Sequence, residues 1–181
     1  AVVAPELEFY LCEQNLDPDL PLKTPIGKSG RREKGSRVFG IDAVNEFDDL
    51  TDDIYDYCEI LKIGVDTLIH ESGPSQIEIN LNHGDPLQLA DQAFMFKRAV
   101  RQVALKHGIH ATFMSKPYQG HPGSSMHIHQ NIISKKTNKN LFSDENGNNT
   151  EEFFHFIGGL QTYLPDAMLF FAPYVNSYRR F

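Results

Sequence analysis

The sequence predicts an α+β fold, mainly an antiparallel sheet with flanking helices. Three observations predict it. Short runs alternate polar and apolar residues at the two-residue period of a strand whose faces differ. Two longer stretches repeat apolar residues at helical spacing and carry helix-end residues. Strands and helices are mixed along the chain, with several strands following one another.

The first strand is predicted over residues 2–13 (VVAPELEFYLCE). Residues 14–37 are rich in Pro, Gly, Lys and Arg and read as a long loop, of a length that is usually functional or mobile. Val44, Phe47, Leu50, Ile54, Tyr57, Cys58 and Leu61 place a helix over 44–63, ended by Gly64. Strands over 65–71 and 76–83 flank a Ser-Gly-Pro-Ser turn. A helix over 86–107 has Asp85 as N-cap, Pro86 at its first position and Gly108 as C-cap. Residues 109–116 read as a strand, 116–124 as a loop and 125–133 as the next strand. A polar turn, KKTNKN, precedes Leu141 and Phe142, which pack after it; a helix over 150–164, a short helical piece over 165–172 and a final loop complete the chain.

The 181 residues suit one domain or a large piece of one. A hydrophobic fraction of 40% and a charged fraction of 23% are ordinary for a globular protein. The formal net charge of −7 argues against a general binder of nucleic acid or anionic membrane, while leaving an ATP site open, since bound metal inverts local charge. Cys12 and Cys58 form no disulfide or zinc pattern and fit a reducing compartment. No signal peptide or membrane-spanning run is visible, so the expected location is cytoplasmic. The chain enters a strand at residue 1 and stops at VNSYRRF, which reads as a segment of a longer protein.

The chemistry sits in three strand-like runs. Glu6 and Glu8 share one face of the first, with Leu7 and Phe9 on the other. Glu78 and Asn80 share a face opposite Ile77, Ile79 and Leu81, and His127 and His129 share a face opposite Met126 and Ile128. Glu71 stands at the end of a fourth run. A lone E-x-E is more often the wet side of a half-exposed strand, and a lone histidine is more often structural. The coincidence of acids and imidazoles in three strands favours a divalent cation, because buried carboxylates repel one another without one. Oxygen-rich ligation with histidine suits Mg²⁺ or Mn²⁺. The glycine-containing loop Gln119–Ser125 allows close backbone approach to a ligand, or is simply a tight connector. Lys116 at a strand end faces that loop and offers a charge to an anion, with an ordinary surface lysine as the alternative. Arg179 and Arg180 offer forked donors for carboxylate or phosphate.

Taken in order, these motifs resemble the glutamine synthetase family. P-E-L-E-F-Y at 5–10 resembles its first metal-binding strand, and H-E-S-G-P-S-Q-I-E at 70–78 its paired-glutamate segment. A-T-F-M-S-K-P at 111–117 with G-S-S-M-H-I-H-Q at 123–130 is similar to its glycine loop and histidine strand, and N-S-Y-R-R at 176–180 to its substrate-arginine loop. The resemblance implies that residues 1–181 are the first half of the catalytic domain, without the small N-terminal β-grasp domain and the C-terminal part. It implies one metal site at Glu8, Glu71 and Glu78 and a second at Glu6 and His127. His129 and Asn131 would meet ATP and Lys116 would assist; Gly123 and Arg180 would hold substrate, with Arg180 and His129 acting in catalysis. Pro122 departs from the asparagine common before this glycine in ammonia-using members. H-G-D-P-L-Q-L-A-D-Q at 83–92 and H-P-G-S-S-M look more like the γ-glutamylpolyamine synthetase branch.

The implied reaction is ATP-dependent: γ-glutamyl phosphate forms from glutamate, then ammonia or a small amine such as a polyamine attacks it. The implied cofactor is Mg²⁺ or Mn²⁺, and the implied assembly is a ring-shaped homo-oligomer whose sites lie between subunits. On that basis the segment alone is expected to be inactive. Glutamine synthetase proper, a non-catalytic scaffold of the same fold and an ATP-independent metallohydrolase are the alternatives.

Overall fold

The computed structural model describes residues 1–35 and 37–180. Strand β1 (Val2–Glu13) is the axis of a five-stranded antiparallel sheet. On one edge it pairs with β3 (Gln76–Leu81), which in turn pairs with β2 (Val65–His70). The other edge is shared. β5 (Met126–Asn131) pairs with Val2–Leu7 and β4 (Ile109–Thr112) with Tyr10–Glu13. This double use of β1 needs an unusually long strand, and the run of apolar and β-branched residues from Val2 to Cys12 supplies it.

The pleat separates the two faces as the alternation predicts. Leu7, Phe9 and Leu11 join Ile77, Ile79 and Leu81 in the main core. Two helices cover that face: α2 (Asp48–Ile60) with Leu50, Ile54 and Cys58, and α3 (Pro86–Lys106) with Phe96, Val100 and Val103. Asp85 caps α3, its carboxylate accepting from the Leu87 and Gln88 amides at 3.0 and 3.2 Å. The other face carries the glutamates, with only a small cluster of Tyr10, Cys12 and Tyr118 at one end.

The structure corrects several boundaries. The helix expected over 44–63 is two pieces, α1 (Ile41–Asn45) and α2. The break follows from the long loop: the Glu46 carbonyl, which a continuous helix would use internally, accepts from the Lys28 amide at 3.0 Å. Helix α2 closes through Lys62 in the left-handed region (φ 57°) rather than at Gly64. His107 caps α3, and Gly108 follows it with φ 74°. The strands expected over 76–83, 109–116 and 125–133 stop at Leu81, Thr112 and Asn131. The terminal loop instead holds a 3₁₀ turn, Val175–Arg180.

Helices α4 (Glu151–Tyr163) and α5 (Met168–Phe171) bury no residue. Phe142 packs on Phe153 and Phe156, as expected for a residue after the polar turn, but Phe154, Tyr163, Leu169, Phe170 and Tyr174 stand exposed. The apolar side chains of β5, Met126 and Ile128, are likewise open rather than in the core. No helix among the described residues is long and apolar enough to cross a membrane.

The load on the covered face is testable. Phe96, fully buried between sheet and helices, should cost about 3–5 kcal/mol when replaced by Ala. Removing the cap with Asp85→Ala should cost about 1 kcal/mol. Urea unfolding followed by circular dichroism measures both.

Candidate metal centre

Register decides which acids meet. Glu8 lies directly opposite Glu78, and Glu6 opposite Asn80 on one edge and opposite His127 on the other. Cross-strand partners share a face, with β-carbons about 5 Å apart. Ligand atoms of Glu6, Glu78 and His127 consequently lie within 4.8 Å of one another. Oxygen and nitrogen donors around a hard cation sit at about 2.1 Å, which sets opposite donors about 4.2 Å apart. The carbonyl oxygen of the Asn80 side chain is buried on the same face with no hydrogen-bond donor among the described residues. The donor set and its spacing therefore fit a divalent metal.

Each sequence-predicted residue has a definite place. Glu8 is buried and its Oε2 accepts from Gln76 Nε2 and from the Ser125 amide, both at 3.0 Å. Burial pushes its carboxyl up, the Ser125 N–H pulls it back, and the Glu71 charge pushes it up again. Glu71 follows β2 with its amide bonded to the Gln76 carbonyl at 2.9 Å, half-buried beside Glu8 and Glu78. Glu78 is 6% exposed, and no hydrogen bond reaches its carboxylate among the described residues. Burial, then the charges of Glu6, Glu71 and Glu8, raise it to about 7. Glu6 is bonded by both histidines, His127 Nδ1 at 3.2 Å and His129 Nε2 at 2.8 Å. His129 thus joins the acid cluster directly. The structure draws Glu6, Glu78 and His127 into one group, cutting across the two ligand sets that the resemblance implies, while Glu8 and Glu71 flank that group.

The substrate-side residues also converge. Gly123 stands under Arg180: a β-carbon there would lie 2.5 Å from the Ser115 carbonyl and 2.9 Å from Arg180 Nε, so only glycine fits. Arg180 donates to the Ser124 carbonyl at 3.1 Å and to Ser125 Oγ at 2.7 Å. Lys116 Nζ donates to the His121 carbonyl at 2.5 Å, so it ties the glycine loop rather than pointing at an open anion site. Asn131 uses its side-chain oxygen on the Ile132 amide and, with His83 and His129, lines a cavity of about 420 Å³ beside Val2–Ala4.

Sequence reasoning missed Gln76. It is 1% exposed, and its amide joins three parts of the site. Nε2 donates to Glu8, to the Gly123 carbonyl at 3.1 Å and to Ser124 Oγ at 3.4 Å, while Oε1 accepts from the Gly73 amide at 2.9 Å. The signal was present, since Gln76 lies two residues before Glu78 and hence on the same face.

Fold and site together define an antiparallel sheet whose acidic face adjoins a glycine loop and an arginine turn. The profile of the glutamine synthetase catalytic domain matches residues 1–181, and the chain belongs to the glutamine synthetase family. It is 41% identical over 184 residues to gamma-glutamylputrescine synthetase PuuA of Escherichia coli K12, covering 99% of this chain and 38% of that protein. It is 35% identical over 180 residues to glutamine synthetase of Pyrococcus abyssi, again covering 99% and 38%. The chain thus spans about two fifths of the length of these relatives. Among solved structures it superposes on apo GmaS with a TM-score of 0.81 at 29% identity, over 99% of this chain and 41% of that one. It matches the fold of Plasmodium falciparum glutamine synthetase with a TM-score of 0.83 at 24% identity, over 99% and 39%.

The electrostatics of Glu78 give a signed pH dependence. Its folded value, raised from 4.5 to about 7, makes the folded chain bind more protons than the unfolded chain between those values. Stability without metal should therefore fall as pH rises from about 4.5 to 7 and stay low above it. Glu78→Gln should flatten that slope and raise the melting temperature at pH 8. Thermal melts at pH 5, 6, 7 and 8 in the presence of a chelator test this.

Proposed function

We propose that this chain is the opening part of a catalytic domain that joins glutamate to an amine with ATP, through γ-glutamyl phosphate. The observation that carries the reading is the approach of Glu6, Glu78 and His127 donor atoms to within 4.8 Å on one sheet face, in a chain of this family. Mg²⁺ or Mn²⁺, when bound, would supply the positive charge that phosphoryl transfer needs at the developing phosphate oxygens. Glu6, Glu78 and His127 would hold it, with Glu8 and Glu71 as flanking carboxylates.

The chain's own residues supply positioning. Arg180 presents a fixed guanidinium, already braced by Ser124 and Ser125, toward a substrate carboxylate or phosphate. Gly123, with no side chain between it and Arg180, would bring its backbone to the amino-acid substrate beside that guanidinium. His129, held by Glu6, would donate toward phosphate oxygens, and Asn131 lines a cavity beside it that would receive the nucleotide. Water exclusion and the remaining charge would fall to parts of the relatives' length that this chain does not span. The exposed apolar side chains of α4, α5 and β5 support packing within such a larger, ring-shaped homo-oligomer. Cys12 and Cys58, both free and buried, suit a reducing cytoplasm.

An amine acceptor is favoured over ammonia by two features: the 41% identity to a gamma-glutamylputrescine synthetase, and Pro122 before Gly123. The glutamine synthetases of the same family keep ammonia as the second reading. A non-catalytic scaffold is disfavoured by Glu78, whose burial without a hydrogen bond opposes stability and has no purpose there.

Isothermal titration of Mn²⁺ tests the site. Saturable binding is expected, and Glu6→Ala and Glu78→Ala should each abolish it; binding that survives both changes would refute this site. With a protein of the relatives' full length carrying this segment, phosphate release in the presence of glutamate and ATP should respond to putrescine far more than to ammonia. The opposite preference would move the reading to glutamine synthetase proper.

A further inference from the structure

Behind the glutamate face lies a buried polar contact that the reaction chemistry does not use. Glu33 comes from the long basic loop before α1, and its side chain is 10% exposed. Its Oε2 meets His70 Nε2 at 2.9 Å and accepts from the Ser75 amide at 2.6 Å. His70, 1% exposed, turns its other ring nitrogen to the Glu71 carbonyl at 2.8 Å. A carbonyl only accepts, so Nδ1 is the donor to Glu71. The Oε1 atom of Glu33 is buried without a hydrogen-bond partner among the described residues.

These contacts grip both ends of one turn. His70 immediately precedes Glu71. Ser75, in the left-handed region at φ 57°, immediately precedes Gln76. A non-glycine residue in that conformation persists only where its surroundings hold it. The register puts His70 opposite Ile77, on the core side, while Glu71, Gln76 and Glu78 face the other way. Glu33 therefore holds the turn from the back of the sheet while its acids point out of the front.

We infer that Glu33, through His70 and the Ser75 amide, is a positioning residue for Glu71, a carboxylate flanking the proposed metal group, and for the Gln76 hub that orients the other flanking carboxylate, Glu8. The inference rests on the metal reading of the site. It also gives the loop a role: a segment remote in sequence sets the geometry of the carboxylates. Residues that orient metal ligands without touching the metal commonly change affinity about 10- to 100-fold when removed.

The test is Mn²⁺ titration, by calorimetry and electron paramagnetic resonance, into the unaltered chain, Glu33→Ala and Glu33→Gln. Amide exchange at Glu71 and Gln76 is read in the same samples before metal is added. Glu33→Ala should bind Mn²⁺ about tenfold more weakly or worse, with an altered Mn²⁺ spectrum and faster exchange at both amides. Glu33→Gln keeps the length and an acceptor oxygen and should recover part of the affinity. A Glu33→Ala chain that melts at lower temperature yet binds Mn²⁺ with unchanged affinity would make Glu33 structural only and overturn the inference. Should Glu33→Ala fail to fold, Glu33→Gln decides: unchanged affinity with unchanged exchange at Glu71 overturns it, and weaker binding with faster exchange supports it. An unaltered chain that takes up no Mn²⁺ overturns the metal reading itself, and the positioning role with it; that outcome is distinct from a loss confined to the Glu33 variants.

Discussion

The pairing of β1 along both edges is the constraint on which this structure depends. One strand must accept β3 on one side and both β5 and β4 on the other. That arrangement places Glu6 and Glu8 between Glu78 on one edge and His127 on the other. A register slip of a single residue would turn Glu6 and Glu8 into the core and Leu7 and Phe9 out of it. The hydrophobic pattern that fixes the core therefore also fixes which acids and histidine meet on the other face.

The two faces oppose each other energetically. Leu7, Phe9, Leu11, Ile77 and Ile79, all at or near zero exposure, secure the sheet to α2 and α3. The other face gathers acids, and burial first, then their mutual repulsion, raises Glu8 and Glu78. The apolar burial is large enough to hold those acids close, each fully buried aliphatic or aromatic side chain contributing about 1.5–3 kcal/mol. Gln76 and the Ser125 amide then distribute the strain unevenly, giving Glu8 two donors and leaving Glu78 without one.

Much of this was legible in the sequence because it follows from periodicity. The two-residue alternation in VVAPELEFYL and QIEINL located the sheet and its acidic face, and Asp85, Pro86 and Gly108 bounded α3 to within a residue or two. The misses have physical causes. The interruption at Phe47 arises from a tertiary hydrogen bond between Lys28 and Glu46 that no local pattern reveals. The exposure of Met126 and Ile128 on β5 depends on what covers the strand, which alternation does not specify. Lys116 looked available because its acceptor, the His121 carbonyl, is brought to it by the fold of the glycine loop. The approach of Glu6 to Glu78 was not legible either, because it depends on side-chain reach across β1 and β3 rather than on motif order.

Glu8 and Glu78 show why residue type alone underdetermines role. They are the same residue, directly opposite each other, both nearly inaccessible to water. Glu8 accepts two N–H donors, so its charge is partly compensated within the chain. Glu78 has three other carboxylates as neighbours and only His127 to offset them. A carboxylate in that position has two ways to lower its energy, taking a proton or taking a cation. Its raised value, about 7, puts the two in direct competition near neutral pH. A metal bound at the proposed site would thus be coupled to pH through Glu78 first, with proton release accompanying its uptake.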